Sequence, residues 1–167
     1  KDTKAISNTA DRFKINLSVI KSVIKSNENR SLLLLKRVFS LFKGNVRNKK
    51  ICFLGVTFKA NTDDMRDSSC LSMIPSLIRK GAKINYYDPT GKKDIFKKFK
   101  NVNFSENIKS AIKNSDMIII HTEWNDFKSI NFKKEVKNKN FILFDMRNIY
   151  SSTKMKSQKI KYFGIGA

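Results

Sequence analysis

The fold is decided by a short apolar run, ICFLGV, at residues 51–56. Continuous apolar runs of this length are typical of strands that are covered on both faces, as in a parallel sheet. Similar apolar runs follow at residues 84–87, 102–104, 117–120 and 141–144, with helical spacing between them. Strands that alternate with helices predict parallel crossover connections. We therefore expect residues 49–167 to form a doubly wound α/β sheet.

The connecting segments carry helix signals. Ser68 is predicted to cap a helix that ends at Gly81, and Ser105 is predicted to cap a later helix. Shorter helices are expected at residues 95–99 and 132–136, where apolar side chains recur at helical spacing.

The first 48 residues have a different pattern. Apolar residues recur there at i, i+4, i+7 and i+11, the spacing of one helical stripe. They are Phe13, Leu17, Ile20 and Ile24. A second apolar stretch begins at Leu32, and Gly44 suits the C′ position after a helix that ends near Lys43. Residues 1–48 are therefore predicted to be a long helix or a pair, whose apolar faces must pack on another domain or subunit.

The chain is strongly basic. Its 167 residues include 35 Lys or Arg and 14 Asp or Glu, for a formal net charge of +21. The excess of cations occurs in every part of the sequence and is thickest near the N-terminus. Lys, Asn and Ile are abundant together, which indicates drift toward A/T-rich codons, since these residues share no binding chemistry. Most lysines are therefore predicted to be a solvated coat, with a polyanion surface as the alternative.

Two absences narrow the class of protein. No apolar run approaches the ~20 residues that a membrane span needs, so no membrane partner is expected. The 2 cysteines form no framework of disulfides or metal ligands, which predicts a reducing, cytoplasmic setting.

Ligands of an open parallel sheet bind beyond the carboxyl ends of its strands. The loop after the first predicted strand has Gly55 but not the G-x-G-x-x-G turn that binds a dinucleotide pyrophosphate. It does carry Phe58, Lys59 and Arg66, a set that can pair with phosphate and cover a base or ribose. In so basic a chain, two cations on a loop are also expected by chance, so a solvated loop is the alternative.

Other reactive side chains have structural interpretations. Cys52 lies in an apolar strand, and no base is placed near Cys70, so both thiols are expected to be buried. His121 has no partner at metal-ligand spacing, so no metal site is predicted.

Three other residues in or near the predicted loops are given structural roles. Asp63 and Asp64 are interpreted as carboxylates that answer Arg66 or a helix N-terminus rather than as an acid and base pair. Trp124 is expected to be a lid or a packing anchor.

The segment GVTFKANTDDMRDS, residues 55–68, resembles the G-(L/V)-(A/T)-F-K-x-N-T-D-D-x-R-(D/E)-S motif of UDP-glucose 6-dehydrogenases. Three further matches follow in order: YDP at residues 87–89, TEW at 122–124 and FDMRN at 144–148. The GIG at residues 164–166 is similar to the family's C-terminus. Ordered motifs across most of the chain make the resemblance specific.

The first residues extend this resemblance. KDT at residues 1–3 is similar to the sequence that continues the family's G-G-x-C-F-P-K-D segment, which contains the nucleophilic cysteine. We therefore expect the chain to start three residues after that cysteine, without the N-terminal dinucleotide-binding domain.

The resemblance implies both a reaction and residue roles. Family members oxidise C6 of the glucose twice, passing two hydrides to NAD and forming UDP-glucuronate through a cysteine thioester. Carried over by position, Phe58, Lys59 and Arg147 would bind the UDP-sugar, and Arg66 would reach NAD. Asp2 would assist the chemistry, and no metal is implied.

The resemblance also implies a domain plan. Residues 49–167 would be a Rossmann-like UDP-sugar domain, and residues 1–48 part of a central helical segment that forms a homodimer. The chain alone is expected to be inactive unless a separate N-terminal fragment completes it. The alternatives are a dehydrogenase of UDP-N-acetylmannosamine or GDP-mannose, or a non-catalytic module that binds nucleotides or, less in keeping with the sequence, nucleic acid.

Overall fold

The computed structural model describes residues 2–166, except for the side chain of Asp2. The chain forms two compact units, one that ends at Gly44 and one that begins at Asn45. None of the helices in the described chain is long and apolar enough to cross a membrane.

The first unit contains two helices, α1 (Asp2–Arg12) and α2 (Ser18–Leu41). The chain turns between them at Lys14, whose φ of 56° lies in the left-handed region. The stripe predicted from Phe13 onward is therefore not on one helix, because Phe13 precedes α2 and Leu17 is its N-cap. Polar residues 26–29, in contrast, do not interrupt α2.

The end of α2 is a Schellman motif, shifted by one residue from the prediction. Lys43 takes the left-handed C′ position with φ 53°, and its N–H donates to the carbonyl of Ser40 at 2.9 Å. Gly44 follows at C″, and its N–H donates to Phe39 O at 2.8 Å.

Large apolar side chains of the first unit are exposed, with exposed fractions from 48% to 75%. They are Ile6, Phe13, Ile15, Val19, Val23, Leu32 and Leu33. Such a set of exposed apolar side chains marks a surface suited to contact with other protein.

The second unit is a six-stranded parallel sheet in the order β3-β2-β1-β4-β5-β6. Its strands are β1 (Lys50–Leu54), β2 (Lys83–Tyr87), β3 (Val102–Phe104), β4 (Met117–Ile120), β5 (Ile142–Asp145) and β6 (Lys161–Gly164). The winding reverses between β1 and β4, which is the order of a Rossmann-like sheet. The prediction of a doubly wound α/β sheet is confirmed, although β6 was not predicted.

Four helices connect the strands: α3 (Cys70–Arg79), α4 (Ile108–Ile112), α5 (Phe132–Glu135) and α6 (Ser152–Ser157). Single 3-10 turns lie at Asp94–Phe96 and Asn125–Ser129, and the first replaces the short helix expected at residues 95–99. Helix α6 was not predicted.

One of the two predicted serine caps is wrong, and the other is displaced by one residue. Ser69 directly precedes α3 without a side-chain cap bond, whereas the Ser68 hydroxyl accepts from the N–H of Cys70 at 3.3 Å and donates to the carbonyl of Val56 at 2.6 Å. Ser105 donates to Asn85 Oδ1 at 3.0 Å, while Asn107 caps α4 by accepting from the N–H of Ser110 at 2.8 Å. Both serines found partners on other elements of the fold, which helical spacing does not reveal.

The core lies on both faces of the central strands. Residues 51–54 of β1 and 117–120 of β4 are all at most 1% exposed. Each large apolar side chain buried in this way stabilises the fold by roughly 1.5–3 kcal/mol. Cys52 and Cys70 are also buried, and burial raises the pKa of both thiols, as their interpretation as packing residues predicted.

Candidate functional site

Three loops are joined by hydrogen bonds at the carboxyl ends of β1, β4 and β5. The Thr122 hydroxyl after β4 donates to the carbonyl of Thr57 after β1 at 2.9 Å. Arg147 after β5 donates from Nε to the carbonyl of His121 at 2.7 Å and from Nη2 to that of Phe58 at 3.2 Å. The backbone at Thr57 and Phe58 is therefore held from two neighbouring strands.

Gly55 permits this close approach of the loops. Its φ is +75°, and a Cβ at this position would lie 2.5 Å from Cβ of Thr122. A residue with a side chain would both strain the backbone and push Thr122 away from Thr57. The single glycine of the loop thus allows the chain after β1 to pack closely against the chain after β4.

Phe58 and Lys59 follow directly on this fixed backbone. Phe58 is 47% exposed, and Lys59 is exposed as well. An exposed aromatic ring next to a cation can cover a base or sugar and pair with phosphate. The sequence predicted this pair as a ligand contact, and the structure places both residues beyond the carboxyl end of β1.

Arg66 closes the other end of the same loop. Its guanidinium makes a bidentate contact with Asp64, Nε to Oδ1 at 3.0 Å and Nη2 to Oδ2 at 2.8 Å, and the pairing raises the pKa of Arg66. The N–H of Phe58 donates to the Asp64 carbonyl at 2.9 Å, so Asp64 shapes the loop as predicted. The Arg66 side chain is 83% exposed, which leaves it accessible to a ligand.

Arg147 holds the loops and also carries charge at the edge. Its Nε lies 3.0 Å from Oε2 of Glu123, in addition to the two carbonyl contacts. These contacts use two of the five N–H donors that a guanidinium has. Arg147 and Phe58 are therefore in direct contact, while Asp2, in the first unit, has its side chain outside the described part of the chain.

Asp88, which the sequence marks only as part of the YDP match, organises the loop after β1. Its buried Oδ2 accepts from the backbone N–H groups of Val56 at 2.8 Å and Thr57 at 3.4 Å. Its Oδ1 accepts from the N–H of Thr90 at 3.0 Å and lies 3.9 Å from Nζ of the buried Lys93. Only the contact across 32 residues reveals this role, and no short motif signals it.

The position of Asp88 decides how this edge can bind phosphate. In dinucleotide-binding domains the amides that follow the first strand bind the pyrophosphate. Here an internal carboxylate occupies the amides of Val56 and Thr57. These two amides are therefore not available to a phosphate, and the exposed cations of the loop are the charged groups that this edge offers to one.

His121 is a buried connection between β4 and α3. Its Nδ1 lies 3.1 Å from Thr122 Oγ1, and its Nε2 lies 2.8 Å from Ser69 Oγ. Because the Thr122 hydroxyl donates its proton to Thr57, Nδ1 must be the protonated nitrogen and Nε2 the acceptor. Burial lowers the pKa of His121 to about 3, with a further contribution from Arg147. The imidazole is neutral at ordinary pH.

Trp124 is a packing anchor, as expected. It is 9% exposed and belongs to the cluster that includes Phe127 and Leu143, with Ala60 packed against it. Its indole N–H has no hydrogen-bond partner among the described residues.

The described edge presents side chains that suit ligand binding. Both thiols are buried, and no group of acidic, histidine or cysteine side chains in the described residues could hold a metal ion. The strand order, the exposed aromatic ring and the cations define a Rossmann-like domain of the nucleotide-binding class.

The chain belongs to the UDP-glucose/GDP-mannose dehydrogenase family. The model of that family's UDP binding domain matches residues 52–152. Over 171 aligned residues, the chain is 34% identical to the UDP-glucose 6-dehydrogenase of Rickettsia prowazekii. That alignment covers all of this chain and 39% of the relative, so the chain spans about two fifths of the length of that protein.

Solved structures agree with the observed fold. A UDP-glucose dehydrogenase from Pyrobaculum islandicum superimposes with a TM-score of 0.79 at 22% identity, covering 98% of this chain and 35% of that one. An NDP-N-acetyl-D-galactosaminuronic acid dehydrogenase from Methanosarcina mazei also has a TM-score of 0.79, at 20% identity over 99% of this chain and 37% of the other. At these identities the similarity establishes the fold.

Proposed function

We propose that the chain is the C-terminal part of an NAD-dependent UDP-glucose 6-dehydrogenase and binds the UDP portion of the substrate. The observation that carries the proposal is the fixed backbone at Thr57 and Phe58, which presents Phe58 and Lys59 beyond the end of β1. Because Asp88 occupies the neighbouring amides, the diphosphate is held by side chains.

The ligand contacts divide between an aromatic ring and three cations. Phe58 covers the uridine or sugar, and Lys59 pairs with the diphosphate. Arg147 contributes its remaining N–H donors to the same substrate. Arg66 reaches the nicotinamide dinucleotide, which its exposed position at the far end of the loop supports.

Turnover requires residues outside this chain. In the proposed reaction two NAD molecules accept one hydride each, and a cysteine forms the thioester that water then hydrolyses to UDP-glucuronate. Neither buried thiol of this chain serves as that nucleophile, because burial raises the pKa of both. Asp2 assists the chemistry, and a dinucleotide-binding domain with the reactive cysteine comes from the rest of the polypeptide or from a separate chain.

Two ligand titrations test the nucleotide assignment. Calorimetry of the purified chain with UDP is expected to show micromolar binding, with GDP at least tenfold weaker. Stronger binding of GDP would favour a GDP-mannose dehydrogenase. Absence of any nucleotide binding would contradict the proposal.

An activity assay tests the role of the missing part. The chain alone with UDP-glucose and NAD is expected to produce no NADH absorbance. Steady formation of NADH by this chain would contradict the proposal that the nucleophile lies elsewhere. UDP-N-acetylmannosamine, supplied to a completed enzyme in place of UDP-glucose, distinguishes the two sugars.

We also propose that the first unit forms a homodimer through its exposed apolar side chains. Val19 and Leu33 are 75% and 61% exposed, and burying such side chains between subunits would be favourable. In sedimentation velocity the chain is expected to be a dimer, and the double variant Val19→Glu, Leu33→Glu a monomer. The control Asn27→Glu, Asn29→Glu adds the same charge at exposed polar positions of α2 and is expected to stay dimeric. Monomeric wild-type chain would contradict this proposal.

A further inference from the structure

The amino ends of the strands form an edge of the second unit that is strongly basic. Twelve Lys or Arg residues lie in the strand starts and the turns before them, at residues 47–50, 79–83, 100, 113, 137–139 and 159–161. Eleven of them are exposed, and Lys49 is half-buried. Arg79 is the last residue of α3, and the matching residue of α5 is Glu135, which together with Asp116 gives this edge two carboxylates. We call this set the basic edge.

Backbone hydrogen bonds establish that these residues are neighbours across the sheet. The N–H of Lys83 donates to the carbonyl of Lys49 at 2.9 Å, and the N–H of Lys137 donates to that of Lys113 at 2.8 Å. Asp116 offsets one of these charges and is held in place, because its two oxygens accept from the N–H of Lys50 and from Asn138. The cations therefore form a continuous row from β3 to β6.

The opposite edge, which carries the proposed UDP site, has the reverse balance. The loops after the strands, residues 55–69, 88–94, 105–107, 121–129 and 145–151, contain nine carboxylates and six cations. The positive charge of the second unit is thus segregated on the edge away from the proposed site. A count along the sequence does not reveal this, because each strand contributes to both edges.

Helix dipoles offset only a small part of the positive charge at the basic edge. Helices α3 to α6 end at the basic edge, and each C-terminus carries about half a negative charge, so four helices supply about two. After Asp116 and Glu135 are subtracted from its twelve cations, the basic edge has a net excess of ten. Most of its charge is therefore uncompensated within the fold.

We propose that the basic edge docks the domain on an anionic lipid surface. Ten of its cations are Lys, and no aromatic residue in or next to its segments is exposed. Protein interfaces are depleted of Lys and enriched in Arg and aromatic side chains, and single-stranded nucleic acid binds on aromatic platforms. Flexible ammonium groups instead suit mobile headgroups that need no fixed geometry.

The dimensions of the edge agree with this partner. Six strands at ~4.8 Å spacing give a row about 24 Å wide, on which several lysines can approach a flat surface together. Each Lys near an anionic membrane increases partitioning roughly fivefold. The attachment is peripheral, since it involves surface charge alone. Such attachment departs from the expectation of no membrane partner, which rested on the absence of a spanning apolar run.

Sedimentation with sucrose-loaded vesicles tests the proposal. The chain is expected to bind phosphatidylcholine vesicles that contain about 30% phosphatidylglycerol, to ignore pure phosphatidylcholine, and to be released by about 0.5 M NaCl. The test variant neutralises four lysines of the basic edge: Lys50→Gln, Lys83→Gln, Lys137→Gln and Lys161→Gln. Its partition coefficient is expected to fall at least tenfold, while calorimetric UDP binding is unchanged.

The matched control removes four exposed lysines elsewhere on the second unit: Lys92→Gln, Lys128→Gln, Lys133→Gln and Lys154→Gln. It has the same net charge as the test variant, and its partition coefficient is expected to fall less than threefold. Equal losses in the two variants would overturn the proposal, because net charge alone would then explain binding. Tighter binding to duplex DNA than to vesicles at equal phosphate concentration, or absence of vesicle binding, would also overturn it.

Discussion

At the residue scale, one hydroxyl joins the two loops on which the proposed site depends. Thr122 Oγ1 donates to Thr57 O and accepts from His121 Nδ1. The Cβ and Oγ1 of Thr122 also lie close to Gly55, so the residue combines packing with hydrogen bonding. The TEW motif drew attention to this segment, but the motif did not show what Thr122 contacts.

We expect Thr122→Val to destabilise the fold by about 2 kcal/mol or more. Valine keeps the shape of threonine. It leaves the carbonyl of Thr57 and the ring Nδ1–H of His121 buried without a partner. Urea unfolding measures the loss, and Thr153→Val, at an exposed position of α6, is the control with an expected change within about 0.5 kcal/mol. Equal changes in the two variants would contradict the importance of these hydrogen bonds.

His121 makes stability depend on pH in a defined window. Its native pKa of about 3 lies below the unfolded value of 6.5, so the unfolded chain binds the extra proton as pH falls. Stability from this residue is complete above pH 6.5 and is lost toward pH 3, with about 1 kcal/mol lost between pH 7 and 5.5.

The measurement is urea unfolding at several pH values in that upper window. The chain has 1 histidine, His121, so no other imidazole contributes to the pH dependence in this window. The variant His121→Gln is expected to show a flat profile between pH 7 and 5.5. A wild-type profile that is equally flat would show that the imidazole is not buried in its neutral form.

At the element scale, the close approach of β1 and β4 requires a glycine at the end of β1. Gly55→Ala would place a Cβ 2.5 Å from Thr122 Cβ at a φ of +75°. Gly91→Ala is the matched control, because Gly91 has φ +85° and nothing within 4 Å. Both variants lose about 1–2 kcal/mol to backbone strain, and Gly55→Ala is expected to lose a further 1–3 kcal/mol from overpacking.

The comparison of the two glycine variants isolates the contact. Chemical unfolding of both proteins under one set of conditions is sufficient, since the strain is common to the two. If Gly55→Ala were no less stable than Gly91→Ala, the two loops would not be packed as described.

Elements with uniform polarity could be predicted, and those with long-range partners could not. The strand runs at residues 51–56 and 117–120 are apolar throughout, because both faces are covered, so their pattern is unambiguous. Strand β6 and helix α6 are short and of mixed polarity, and neither was predicted. The break between α1 and α2 contains neither Gly nor Pro, and Lys14 takes the left-handed conformation instead.

The site shows the same division. Phe58, Lys59 and Asp64 lie in one short motif, and local sequence was sufficient to predict where they lie and that Asp64 pairs with Arg66. The roles of Asp88 and of Thr122 depend on contacts between strands that are far apart in sequence. Such contacts are set by strand order, which only the folded sheet reveals.

At the scale of the whole molecule, the cations behind the formal charge of +21 have different roles at the two edges of the sheet. Composition predicted that most lysines are simply solvated side chains on the surface. The folded sheet instead places many of them together at the edge formed by the amino ends of its strands. The carboxyl edge is slightly acidic, so its few exposed cations are distinctive there and not part of a general excess. Lys59 next to Phe58 is the clearest of them.

The most direct test of the account is calorimetric titration of UDP into the chain and into two single variants. Lys59→Ala removes the proposed diphosphate contact, and Lys92→Ala removes an exposed lysine from the neighbouring loop after β2. A charge-assisted hydrogen bond contributes about 1.5–3 kcal/mol, so Lys59→Ala is expected to weaken binding by about tenfold or more. Lys92→Ala is expected to change it less than twofold. Equal affinities of wild type and Lys59→Ala, or equal losses in both variants, would contradict the proposed UDP site.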